Sequence, residues 1–145
     1  MAQVQKSVLI DRSAQQMFDL VDKVEDYPTF LPWCGGSTVH SRDETTTVAT
    51  IDIDYHYVKQ SFTTRNTKHA SDSIQVSLEK GPFSRLDGIW RFTTLDESAC
   101  KIDFSLNYEF SSKLLEKLVG PVFNYIANSF IEAFVQRAEK IYGKP

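Results

Sequence analysis

The spacing of apolar residues changes twice along the chain and divides it into three stretches. In the first, residues 4–11 alternate, with Val4, Val8 and Ile10 as apolar positions, and predict a strand. Ser13-Ala14-Gln15-Gln16 has the form of a capping box, Ser13 as N-cap and Gln16 three residues on. The helix it opens turns Ala14, Met17, Phe18, Val21 and Val24 inward. Pro28 suits the first turn of a second short helix. Pro32 ends that helix, because the residue before a proline, Leu31, is pushed out of helical geometry.

From Gly36 to Phe110 the period is two. Residues 38–42 are a modest strand, and Asp43-Glu44 can turn. Residues 47–57 place Ala49, Ile51, Ile53, Tyr55 and Tyr57 on one face. Residues 60–68 form a more polar strand, followed by a turn signal at Ser71-Asp72-Ser73. Ile74, Val76 and Leu78 alternate, and Gly81-Pro82 breaks the run. Residues 86–94 share a face through Leu86, Gly88, Trp90 and Phe92, and Asp96-Glu97-Ser98 turns again. Ile102, Phe104, Leu106, Tyr108 and Phe110 then alternate with Lys101, Asp103, Ser105, Asn107 and Glu109. That pattern is an antiparallel sheet with one wet face.

In residues 112–142 apolar positions return every three or four: Leu118, Val122, Ile126, Phe130 and Phe134, widened by Leu115, Val119 and Phe123. A helix of this length runs ~45 Å and needs a large concave partner. Gly120-Pro121 interrupts it, and Pro121 removes a backbone hydrogen bond. A strand, two short helices, about six strands in a meander and one long helix amount to a single α+β domain over residues 1–145. The twisted sheet curls, and the long helix crosses its concave face.

Composition adds little to the fold but narrows the chemistry. The 41% hydrophobic and 24% charged fractions belong to an ordinary globular chain, and the aromatics, 12%, suit a core or cavity with flat walls. A net charge of −3 gives no global pull toward nucleic acid, so no DNA partner is expected. Cys34 and Cys100 stand far apart with no CxxC spacing, which argues against zinc and against a disulfide framework. No uninterrupted apolar run reaches the ~20 residues of a membrane span. The first residues have neither signal- nor transit-peptide character, which points to a cytoplasmic protein.

Candidate chemistry is sparse. Asp52, Asp54 and His56 cluster in sequence, but the period of two sets them opposite Ile51, Ile53 and Tyr55, on the solvent side. His40 and His69 lack ligand partners, and no nucleophile elbow, phosphate loop or HExxH occurs. A catalytic set inside the fold has only Tyr55, Tyr57, Tyr108, Asn66 or a loop charge to draw on. The inward aromatics either fill a core or wall a cavity, with tyrosines as polar handles for a quinone-like headgroup. Arg65, Lys68, Arg91 and Lys101 on the sheet and Lys113, Lys117, Arg137 and Lys140 on the helix could meet RNA, although Glu79, Asp103, Glu116 and Glu132 dilute them.

Three blocks carry a family resemblance. Asp26-Tyr27-Pro28-Thr29-Phe30-Leu31-Pro32-Trp33-Cys34 resembles a YPxFLPWC signature. Gly81-Pro82-Phe83-Ser84-Arg85-Leu86, followed by Gly88, Trp90 and Phe92, resembles a GPFxxLxGxWxF block. Phe110, Leu114-Leu115 and Gly120-Pro121 leading to Phe123 form the third. Together they are similar to the coenzyme Q-binding and ribosome-association-toxin family, of START-like helix-grip fold. The resemblance brings no catalytic residues with it; no cofactor is expected to be required, and the isolated Cys34 leaves no metal site expected. The resemblance implies two activities. One is a ubiquinone or lipid carrier that supports respiration. The other is a bacterial toxin, of a toxin–antitoxin pair, that binds the large ribosomal subunit and blocks subunit joining; some members carry the label oligoketide cyclase. The expected cavity wall is Phe30, Leu31, Trp33, Tyr55, Tyr57, Trp90, Phe92, Phe104, Tyr108, Phe123, Phe130 and Phe134. The expectation is a non-enzymatic bacterial monomer that holds ubiquinone or another hydrophobic small molecule, touching membranes at most transiently, with ribosome association as the alternative activity.

Overall fold

A computed structural model describes residues 2–70 and 72–143. Seven strands and three α-helices follow in the order β1 (Ala2–Ile10), α1 (Ala14–Asp22), α2 (Tyr27–Phe30), β2 (Cys34–Arg42), β3 (Thr46–Tyr55), β4 (Val58–His69), β5 (Ser73–Lys80), β6 (Phe83–Asp96), β7 (Ala99–Phe110) and α3 (Lys113–Tyr142). All neighbouring strands are antiparallel, in the order β1-β7-β6-β5-β4-β3-β2. The strands β2 to β7 are a meander, and β1 joins at the β7 edge. The chain reaches the opposite edge through α1, a 3₁₀ turn at Val24–Asp26, and α2. This is the curved sheet and long closing helix of the α+β expectation.

Several local predictions hold in detail. Ser13 Oγ accepts the Gln16 amide at 3.1 Å, and Gln16 Oε1 accepts the Ser13 amide at 3.0 Å, closing the capping box. Pro28 lies in the first turn of α2, and Leu31 is extended at φ −95° and ψ 110°. A cap that the sequence reading did not name closes α3: Ser112 Oγ accepts the Leu115 amide at 3.1 Å.

The sheet curls because its ladders slip by one residue at several points. Gly35 and His40 are extra in β2 against β3, Glu79 in β5 against β4, and Ser84 and Leu95 in β6 against β7. Each such bulge bends its strand and adds twist. Alternating inner positions then converge on one core that includes Ile51, Ile53, Ile74, Leu86, Trp90, Ile102, Phe104 and Leu106.

Four placements differ from the sequence reading. First, β3 stops at Tyr55 rather than continuing to residue 57, because His56 and Tyr57 take positive φ values of 47° and 68° in a two-residue turn. Second, Leu118 is not on the buried stripe of α3; that stripe is Val119, Phe123, Ile126, Ala127, Ile131, Phe134 and Ala138. Third, Lys68 does not share the outer face with Arg65. The side-chain period of two turns it inward, where it is 8% exposed and pairs with Asp22 at 3.4 Å. Fourth, α3 is long and apolar enough to cross a membrane, with a mean hydropathy of 1.3 over its best stretch, although no uninterrupted apolar run exists. In this fold its buried stripe lies on the sheet. Of the turn signal at residues 71–73, Ser71 lies outside the described residues; Asp72 is in a turn and Ser73 begins β5.

Arg42, at the end of β2, holds the α1–α2 connection. Its guanidinium donates to both Glu25 carboxylate oxygens, at 2.6 and 2.9 Å, and to the Asp22 carbonyl at 3.0 Å. The hydrogen bond from Arg42 lowers the Glu25 carboxyl from 4.5 to about 2. A depressed carboxyl stabilises the fold above its unfolded value, and the contribution disappears as pH falls toward about 2. Both side chains are partly solvated, so screening keeps the pair near ~1 kcal/mol. Arg42→Ala should therefore lower the urea midpoint at neutral pH, with the gap from the parent protein closing in acid. Phe134 is fully buried, and Phe134→Ala should cost ~3–5 kcal/mol in the same measurement.

Candidate functional site

Along α3 the inner stripe is bulky, then small, then bulky again. Phe123 belongs to one aromatic cluster, with ring centroids 4.9 Å from Phe83, 4.7 Å from Tyr108 and 6.0 Å from Phe62. Phe130 belongs to a second, at 5.6 Å from Trp90, 5.8 Å from Phe104, 5.8 Å from Trp33 and 6.1 Å from Tyr27. Two helical turns, ~10 Å, separate these anchors, and the small side chain of Ala127 lies between them. An interior cavity of about 70 Å³ opens at that point.

The helical segments and the strands β3 to β7 contribute to its wall: Val21, Val24 and Tyr27 from the helical segments, Ile51 from β3, Phe62, Thr64 and Asn66 from β4, and Ile74 and Val76 from β5. Leu86 and Trp90 of β6, Phe104 and Leu106 of β7, and Phe123, Ile126, Ala127 and Phe130 of α3 complete it. Gly88 sits between Leu86 and Trp90 on the inner face, and a Cβ there would stand 2.9 Å from Leu106 Cδ1 and 2.8 Å from the Ser105 carbonyl oxygen. Leu106 thus takes the space that a side chain at Gly88 would need.

Thr64 and Asn66 give the cavity its polarity. Thr64 Oγ1 donates to Asn66 Oδ1 at 2.9 Å. The Tyr27 hydroxyl points away, donating to the Val21 carbonyl at 2.5 Å, and burial raises its pKa. Among the described residues no carboxylate, histidine, lysine, arginine or cysteine is in the wall. The arrangement can hold a mainly apolar group and offer it one amide and one hydroxyl, but it contains no acid–base pair and no nucleophile. At ~30 Å³ per water molecule, the volume corresponds to about two waters; ligand pockets for drug-sized molecules run ~300–1,000 Å³.

Of the twelve aromatic and aliphatic residues expected to wall the cavity, Trp90, Phe104, Phe123 and Phe130 do so. Tyr57 is fully exposed at the β3–β4 turn, carried out by the early end of β3. Tyr55 stacks on Tyr125 at 5.7 Å, at the rim. Leu31, Phe92 and Phe134 are core residues behind the wall. Phe30 and Trp33 line an outer groove beside Tyr125 and Arg137, with the Arg137 guanidinium 5.0 Å from the Phe30 ring centre. Tyr108 packs in the Phe123 cluster, and its hydroxyl donates to Asn124 Oδ1 at 3.4 Å. The sequence reading named Asn66 only as an inward polar group and missed Thr64; period two from Phe62 inward through 64 and 66 marks both.

The remaining candidates disperse. Asp52 accepts from Ser61 Oγ at 2.6 Å, Asp54 is exposed beside Gly35, and His56 is in the turn. Burial raises the Cys34 thiol, and the Cys100 thiol to about 11, so neither is a ready nucleophile. Among the described residues no group of three or more His, Cys, Asp or Glu could hold a metal ion. On the outer sheet face Arg65 pairs with Glu79 at 2.6 Å and Lys101 lies 3.8 Å from Asp103.

Comparison with known proteins places this geometry. The family described as polyketide cyclase / dehydrase and lipid transport matches residues 10–135. A protein from Vibrio cholerae named ribosome association toxin RatA is 44% identical over 144 residues, covering 99% of this chain and all of that one. The coenzyme Q-binding protein COQ10 homolog B of Xenopus laevis is 27% identical over 96% of this chain and 59% of its own. An 18 kDa protein from Caulobacter crescentus has a solved structure with a TM-score of 0.74 and 30% identity, covering 99% of this chain and 100% of that one. The Zhui aromatase/cyclase of Streptomyces sp. R1128 shares the fold alone, at a TM-score of 0.78 and 18% identity over 96% of this chain and 94% of that one. By its sequence blocks, its seven-stranded curved sheet and its closing helix, the chain belongs to the polyketide cyclase/dehydrase and lipid-transport family, of START-like fold.

Proposed function

We propose that this protein is a non-enzymatic START-like binding protein whose activity is ribosome association. The observation that carries the reading is the 44% identity with the Vibrio cholerae ribosome association toxin over the full length of that relative. A cavity wall without an ionisable catalytic group supports a binding role over a cyclase role. On this reading the partner is the large ribosomal subunit and the outcome is toxicity through blocked subunit joining. Exposed Arg91, Lys113, Lys117 and Lys140 are available for phosphate contacts, which weaken as salt rises.

A second activity, storage or transfer of ubiquinone or a similar hydrophobic molecule in support of respiration, draws on the apolar cavity with its Thr64–Asn66 pair and on the likeness to the COQ10 homolog. It requires the cavity to expand beyond its 70 Å³.

Two experiments separate these readings. In sucrose gradients the protein should travel with large-subunit fractions at low salt, and overexpression should raise free subunits at the expense of joined ribosomes; unchanged profiles with no co-migration would refute ribosome association. Ala127→Leu places a larger side chain in the cavity while keeping the helix. This variant should abolish binding of added ubiquinone analogue, read as loss of a thermal shift or of co-extracted quinone by mass spectrometry, while its ribosome co-migration stays intact. Quinone binding at full strength in Ala127→Leu would rule out the cavity as the site.

A further inference from the structure

The buried stripe of α3 has an unusual counterpart on its outer side. Leu114 and Leu118 are 66% and 61% exposed, and Tyr125 is 49% exposed. Positions 114, 118 and 125 fall on one side of the helix, away from Val119, Phe123 and Ile126. The Tyr55–Tyr125 stack, at 5.7 Å and 7° between planes, fastens the β3–β4 tip to this side, so the fully exposed Tyr57 projects beside it. Further along the same side come Asn128, Glu132 and Gln136, all exposed and polar. On this side of α3 the exposed apolar side chains are therefore confined to its first half, while Leu9, Leu95 and Ile141 are exposed elsewhere on the molecule.

At the helix this apolar patch is flanked by two lysines and one glutamate. Lys113 and Lys117 are exposed on α3, and Lys59 is exposed at the tip, paired in register with Asp54. Glu116, three residues after Lys113 and next to it on the helix surface, lines a groove with Ala2, Glu109 and Pro121. Lys113 occupies the first helical position, beside the positive end of the helix dipole, an arrangement unfavourable in water and relieved by an anionic surface. This end is also lightly seated: in residues 113–122 only Val119 is buried.

We propose that the first half of α3 and the β3–β4 tip form a docking face for an anionic lipid bilayer. Leucines reach the acyl boundary, tyrosines sit at headgroup level with their hydroxyls in water, and the lysines meet lipid phosphates. Two exposed aliphatic side chains gain nothing against a phosphate backbone, whereas an acyl boundary buries them. The face closes over the Phe62–Phe123 end of the cavity, but the inference holds whether or not the cavity takes a ligand.

Co-sedimentation of the full chain with vesicles tests it, using phosphatidylcholine alone or mixed with phosphatidylglycerol. Binding should require the anionic lipid and weaken with added salt. The double variant Leu114→Gln, Leu118→Gln should keep its melting temperature, since both side chains are exposed, and lose about tenfold in vesicle partitioning. Lys113→Gln with Lys117→Gln should reduce the preference for anionic lipid. Absence of binding to anionic vesicles, or equal binding by the leucine variant, overturns the proposal. So does loss of ribosome co-migration or of self-association in the leucine variant with vesicle binding unchanged, outcomes that assign the face to a ribosome or to a second copy.

Discussion

The fold depends on one contact: the inner stripe of α3, with α1 and α2 packed beside it, must cover the concave face of a seven-stranded sheet. A stripe of one helix is narrow, and the sheet's hollow is wide. The chain meets this with ring size. Phe123, Phe130 and Phe134 reach across to Phe83, Tyr108, Trp90 and Phe104, where large apolar areas come out of water together. Between the two groups of rings the sheet is still hollow, and Ala127 does not reach it. The cavity is thus a consequence of how the helix bridges the sheet, and its position was set by a change of side-chain size along the stripe.

Much of this was legible in residue spacing. The capping box at Ser13, the Pro28 start, the Leu31 break and the alternation from Ile102 to Phe110 each rest on a local rule, and tertiary packing agrees with all four. The errors arose where a local rule had two outcomes. Tyr57 continues an apolar alternation, yet a two-residue turn with positive φ ends the strand before it. Leu118 fits helical spacing with Val122 and Ile126, but a stripe shifted by one residue, through Val119 and Phe123, faces the sheet. For the site, period two identifies Thr64 and Asn66 as inward, but no spacing rule says which inward residues meet a void and which meet a neighbour. Phe92 and Trp90 share a face and a strand, and only Trp90 borders the cavity.

The same fold serves proteins whose names point to different activities, and the interior explains part of that latitude. Tyr27 in the wall turns its hydroxyl to the Val21 carbonyl, so the polarity offered to the cavity rests on the two neighbours Thr64 and Asn66. Functional differences among such chains fall to the surface and to the volume under the helix. Here buried Lys68 is held by Asp22 next to the Arg42–Glu25 pair, and buried Arg12 donates to the Asp11 and Gly143 carbonyls.

The proline inside α3 acquires a further meaning in this setting. Pro121 supplies no N–H to the carbonyl one turn before it, and the helix before it buries one residue while the helix after it buries six. Local stability is therefore graded along a single element. The leading turns can open at small free-energy cost while the Phe123–Ala138 portion stays locked to the sheet until the whole domain unfolds. A rigid protein is in this way joined end-on to a compliant one within a continuous helix, and the compliant part is the part that the solvent, and any partner in it, meets first.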